Sequence, residues 1–204
     1  MKSTRLPNIV ASIGIATMSS CATHSSGFQK AEVIERIGNK NETPDWASGE
    51  KTALVEGSDC IFISQMTMSG NSRSEACMKS AELDAQAGIL KHIKSSMTAS
   101  GQLNEADSVS DPGFESLTTF FSAGKLSGVK TTERYWEKRV ESSESGDRVL
   151  KLRCAVKVAI RKSDLEKQLR EAMGGPKVNS AAHEALEKAT VKAIDSFGED
   201  ASKP

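Results

Sequence analysis

Four cysteines, Cys21, Cys60, Cys77 and Cys154, are the side chains of this 204-residue chain best suited to covalent chemistry. A thiolate attacks acyl and alkyl groups, and two thiols in an oxidising compartment form a bridge. Cys21 stands apart from the others. It directly follows Met18-Ser19-Ser20 at the end of an apolar run. The remaining three show no CxxC and no Cys/His pair at metal spacing, so no zinc site is expected. His24, His92 and His183 have no carboxylate or cysteine at a patterned distance. His92 reads as a helix-face residue. No nucleophile elbow, phosphate loop, HExxH or dinucleotide fingerprint occurs. Serines are abundant, but a triad also needs a base and an orienting group. The chain is expected not to be an enzyme and to need no cofactor, no metal and no small-molecule substrate.

The segment that would deliver Cys21 begins with Lys2 and Arg5 and continues through an apolar stretch from Ile9 to Met18. That stretch is too short for a permanent span, which takes about 20 apolar residues. A charged start, a short apolar middle and small residues before a cut form an export signal. With the cysteine, the segment resembles the lipobox of bacterial lipoproteins, with Met18 where leucine is usual. The resemblance implies a signal peptide over 1–20, diacylglycerol on Cys21 and acylation of the new amine. It also implies palmitate-type chains anchoring the protein in the outer membrane and facing it to the periplasm. Ala22, rather than aspartate, resembles outer-membrane sorting. An ordinary secretory signal and an uncleaved anchor are the competing readings.

Loss of Lys2 and Arg5 with the leader leaves 25 of the 27 basic side chains against 27 acidic ones. A balanced charge gives no long-range pull on nucleic acid, so none is expected as a partner. No second long apolar run predicts a transmembrane helix. Aromatics are few, so the core must be built from Ile, Leu, Val, Met and Ala.

With Cys21 lipidated, three thiols remain and cannot all pair internally. Two readings stay open. In one, Cys60 and Cys154 are bridged and Cys77 is left over or competes for Cys60. In the other, all three are reduced, buried and inert.

Residues 21–42 read as a polar, lipidated tether, with too little apolar surface to offset chain entropy. Pro44 then fixes an extended or turn backbone, and Trp46 is the first large group expected to dock. Residues 60–68 read as a strand with Cys60, Phe62, Met66 and Met68 on one face. A helix capped by Ser72 or Ser74 follows to about Met97, with Cys77, Ala81, Ala85, Gly88 or Ile89, and Ile93 at steps of three and four. Residues 98–113 read as a loop, and Phe114 to Leu126 as a short helix.

Val129 to Val140 and Val149 to Arg161 form a predicted antiparallel hairpin around a turn at 142–147. In its second strand Leu150, Leu152, Cys154, Val156, Val158 and Ile160 point one way. Lys151, Arg153, Ala155, Lys157, Ala159 and Arg161 point the other, as in a sheet with one solvated face. Ser163-Asp164-Leu165-Glu166 reads as a capping box opening a helix to Met173. A last helix, capped by Ser180 and reaching Phe197, carries few apolar residues and is expected to dock loosely.

This order, from Pro44-Asp45-Trp46 through the alanine-rich helix and Leu126-Ser127-Gly128-Val129 to Tyr135-Trp136 and Arg161-Lys162-Ser163-Asp164-Leu165, resembles the Lpp-twenty lipoprotein family. That family includes FlgP and is similar to the amino-terminal domain of FlgT. The resemblance covers about residues 43–170. It implies an α+β fold: a three-stranded antiparallel sheet with a long helix packed on one face (β-α-β-β), plus C-terminal helices. The domain would span 43–173, with 174–204 a helix and tail. It also implies a structural or assembly role in an envelope machine, such as a flagellar one, acting through protein contacts.

The candidate contact residues are Trp46, Tyr135, Trp136, Lys151, Arg153, Lys157 and Arg161. The partner would be an envelope protein, a second copy of the chain or an acidic surface. The blander reading is that the basic face pairs with Glu133, Glu137 and Glu141 of the neighbouring strand. The competing function is a periplasmic binding or regulatory module, for example an activator of a cell-wall enzyme.

Overall fold

The computed structural model describes residues 31–39, 41–49, 52–99, 112–143, 145–174 and 181–198. Cys21, the export signal, His24 and Ser180 lie outside the described residues.

The sheet has five strands, not three. They are β1 (Glu32–Arg36), β2 (Ala53–Glu56), β3 (Asp59–Ser69), β4 (Lys130–Ser142) and β5 (Arg148–Arg161). Their order is β1-β4-β5-β3-β2, with every pair antiparallel. The three central strands are those expected from sequence. The two additions are short edges, which need only backbone partners and show little hydrophobic alternation. β1 falls inside the segment read as tether. It pairs with β4 from Glu32↔Val140 to Arg36↔Glu137 and breaks register between Val33 and Glu35.

The helices are α1 (Asp45–Ser48), α2 (Ser74–Ala99), α3 (Pro112–Ala123), α4 (Lys162–Ala172) and α5 (Ala181–Asp195). One face of the sheet, carrying Cys60, Phe62, Val156, Val158 and Ile160, packs under α2 to α5 in the main core. α2 turns its small-residue stripe (Ala81, Ala85, Ile89 and Ile93) toward it, all fully buried. Gly88 shows how close the approach is, since a Cβ there would lie 2.2 Å from the Phe62 ring. Only a helix with minimal side chains at the contact can lie this close.

That packing yields a first test. Ala85→Leu adds volume where none is free and should cost about 1–3 kcal/mol or more. Lys91 is exposed and makes one surface ion pair with Asp84 at 3.6 Å, so Lys91→Leu should change stability by less than about 1 kcal/mol. Equal urea midpoints for the two variants would remove this helix face from the core.

Two termini differ from expectation. α4 begins at Lys162, straight off β5, and its N-cap is Arg161 with no side-chain bond, so the box over Ser163–Glu166 does not form. α5 is not loosely docked. Leu186, Ala189, Ala193, Ile194 and Phe197 belong to the main core. His92 on α2 accepts or donates a 3.1 Å hydrogen bond with Ser196 and stacks edge-on against Phe197.

The opposite face of the sheet is also covered. Ala155 and Ala159 of β5 are buried, and Lys157 nearly so. Trp46 lies against two small clusters there, one of Ala47, Tyr135 and Ala155, the other of Ile61, Ile63 and Ala159. The expectation of one solvated face is therefore wrong over the middle of β5. Its alternating alanines are small enough to let α1 and Trp46 settle on the strand.

Candidate functional site

Period-two alternation puts Glu133, Tyr135, Glu137, Arg139 and Glu141 of β4 on that second face. An irregularity between Thr131 and Glu133 sets the phase, and Thr132 there donates its hydroxyl to Lys157 O at 3.2 Å. Glu137 is 1% exposed and is the centre of the site. Its Oε2 accepts from the Tyr135 hydroxyl at 2.7 Å and from Thr43 Oγ1 at 2.8 Å. Arg36 Nε lies 3.8 Å from the same oxygen. Arg139 Nη1 and Arg153 Nη1 lie 3.6 and 4.0 Å from Oε1.

A buried carboxylate must be paired and hydrogen-bonded to persist, and three arginines and two hydroxyls meet that demand. Arg153 is held in turn by donating to Ala47 O at 2.9 Å and to Gln65 Oε1. Arg139 also pairs with Glu141. Burial pushes the Tyr135 phenol above its usual range, with the Glu137 carboxylate adding to the rise and the Thr43 hydrogen bond opposing it. The hydroxyl therefore stays a donor toward Glu137 through neutral pH.

A second pair site lies farther along β5. Lys157 Nζ meets Glu56 at 2.6 Å and Glu133 at 3.2 Å. Burial would lower its pKa, but the two carboxylates hold it above the ordinary lysine value. Glu133–Lys157 and Glu137–Arg153 are thus the cross-strand pairs expected on this face. Glu141 instead faces Val149 and pairs along its own strand with Arg139.

The seven candidate contact residues do not form one patch. Tyr135 is buried, Trp46 is half-buried, and Arg153 and Lys157 are tied into ion pairs. Trp136 points to the other face, packing on the cluster of Cys77, Leu152 and Cys154, with Lys138 Nζ 6.0 Å from its ring. Lys151 is half-exposed near one end of β5, and Arg161 is exposed at the other.

The bridge expected between Cys60 and Cys154 is not the one formed. Cys154 is bonded to Cys77, with Cα atoms 6.0 Å apart, and Cys60 is free and buried. Cys60 sits opposite Ile160, whereas Cys154 sits opposite Met66. Six positions of β-strand separate the two cysteines by roughly 20 Å, far beyond disulfide reach. Burial raises the Cys60 thiol to about 11, so it is a packing residue rather than a nucleophile.

Sequence reasoning missed Arg36, Thr43, Glu137 and Arg139 as a unit. The available signal was Tyr135 and Glu137 two apart on one strand face. Arg36 and Thr43 lay in or beside the segment read as tether. Among the described residues, no group of three His, Cys, Asp or Glu side chains is placed to hold a metal ion, and no helix is long and apolar enough to cross a membrane.

The fold and the site define an α+β domain with helices over one sheet face and a buried ion-pair hub under the other. No family model, no curated protein and no solved structure matches the chain.

Proposed function

We propose that the chain is an outer-membrane lipoprotein of the Lpp-twenty type. It is anchored through Cys21, faces the periplasm, and plays a structural or assembly role in an envelope machine such as the flagellar one. The observation that carries this reading is the Cys77–Cys154 disulfide within the folded domain. Such bridges form and persist in oxidising compartments and are rare in the cytosol. It agrees with the charged and apolar leader that ends just before Cys21. The tight docking of α5 and the covered second sheet face support a rigid domain that works through its surface. The arginine excess around Glu137 favours a second reading, a periplasmic binding module.

The test is Cys21→Ala in cells grown with labelled palmitate. The wild type should take up label and fractionate with the outer membrane. Several acyl chains give stable anchoring, where one is marginal. The variant should lose label and either stay uncleaved or become soluble. Normal processing and outer-membrane retention of Cys21→Ala would overturn the anchoring reading.

A further inference from the structure

The face that holds Glu137 carries more positive charge than its carboxylates balance. Arg36, Arg139 and Arg153 converge on Glu137, and Arg139 also takes Glu141. Lys151 stands directly opposite Arg139 in the β4–β5 register. Directly opposed like charges repel across an antiparallel pair, and among the described residues no carboxylate forms an ion pair with Lys151. Around Glu137 four cations thus meet two carboxylates, a local excess of two, whereas Lys157 farther along the face meets two carboxylates of its own. The Nε groups of Arg36 and Arg139 are buried and have no hydrogen-bond partner. Such a donor is costly to leave unsatisfied until an acceptor reaches it. About a quarter of each of these two side chains is nonetheless exposed, at 23% and 25%.

We infer that this face binds a phosphate group, held by Arg36, Arg139 and Lys151 beside Glu137. A phosphate dianion matches the charge excess, where a carboxylate would neutralise half of it. Guanidinium forks match phosphate oxygens in geometry, and the lysine adds a point charge. Arg153 adds to the field but not to the contact, because its donors already go to Ala47 O and Gln65. The same chemistry is offered by inorganic phosphate and by the phosphomonoester headgroup of a lipid. Binding of either by this face does not depend on where the chain is located.

The test uses the full chain purified in detergent. It is titrated by calorimetry with sodium phosphate at constant ionic strength, and separately with dihexanoyl phosphatidic acid below its micelle concentration. Saturable binding of at least one probe is expected. Equal affinity for both points to free phosphate as the ligand, and preference for the lipid points to a headgroup. Lys151→Gln should melt with the wild type but bind about tenfold more weakly, the loss of one charge-assisted hydrogen bond. Lys192→Gln, on the exposed side of α5, should bind as the wild type does. Failure of both probes to saturate on the wild type would overturn the site. So would unchanged affinity in a folded Lys151→Gln variant.

Discussion

Glu137→Ala should unfold at a clearly lower denaturant concentration than the wild type. The carboxylate is buried and holds five partners: two hydroxyls and three guanidiniums. Removing it takes the carboxylate acceptor from Tyr135 and Thr43, leaving the phenol only Thr43 Oγ1 at 3.2 Å, and sets three like charges around an empty centre. Breaking a buried pair by deleting one partner costs about 3–5 kcal/mol. The arginines are partly exposed and water screens them, so the lower end applies, about 3 kcal/mol. For a domain of this size that is roughly 6–12 °C in Tm.

The damage should also have a place. Arg36 ends β1 and Thr43 precedes α1, so the hub ties the amino-terminal part of the fold to β4 and β5. Amide exchange in Glu32–Arg36 should speed up before that of β3. Glu141→Ala removes a more exposed carboxylate that pairs with Arg139 and should cost less than about 1 kcal/mol. If Glu137→Ala and Glu141→Ala have the same urea midpoint, the hub contributes no more than a surface pair.

The difference between these two glutamates was not readable in the chain. Alternation placed both on one face of β4, and Tyr135 two positions before Glu137 does not by itself say which carboxylate is buried. What separates them is Arg36, on an edge strand about a hundred positions away, and Thr43, just before α1. That strand, Glu32-Val33-Ile34-Glu35-Arg36, is mostly charged, with Ile34 left exposed. It is held by backbone bonds and by charge pairs such as Lys138–Glu35 at 3.0 Å and Arg148–Glu32, and neither leaves a hydrophobic pattern.

The elements that did show in the sequence are those whose burial is periodic. The stripe from Cys77 to Ile93 and the alternate residues from Leu152 to Ile160 are buried in phase with helix and strand, so composition and phase revealed them. Lys157 marks the limit of that reasoning. Its type says solvent, but Glu56 and Glu133 make it tolerable beside buried alanines. α5 marks the converse limit. Beside Leu186, Ile194 and Phe197 it buries Ala189, Ala193, Thr190 and His183, residues that a search for large apolar groups passes over.

Removing the Cys77–Cys154 bridge by the double change to alanine should destabilise the domain by about 2–5 kcal/mol. The bridge spans 77 residues, and the loop-closure model for a loop of that length gives about 4.5 kcal/mol at 25 °C. It pins the first turn of α2 to the middle strand β5, at the end of the sheet where Met68, Met78 and Trp136 close the packing. The face of each cysteine was legible from alternation, but the pairing depends on strand register and on where α2 begins.

The register carries a sharper consequence. A single Cys77→Ala variant should not re-pair Cys154 with Cys60, because six strand positions lie between them. Both thiols should then stay free. In the wild type, native protein should resist iodoacetamide near pH 8, since the Cys60 thiol is buried and raised to about 11. After denaturation without reductant, Cys60 should be alkylated, and digestion should yield a linked Cys77–Cys154 peptide. A linked Cys60–Cys154 peptide from the wild type, or from Cys77→Ala, would contradict the β3–β5 register itself. Full alkylation of Cys77 and Cys154 in protein taken from the periplasm would leave the sheet intact but remove the bridge, and with it the strongest support for export.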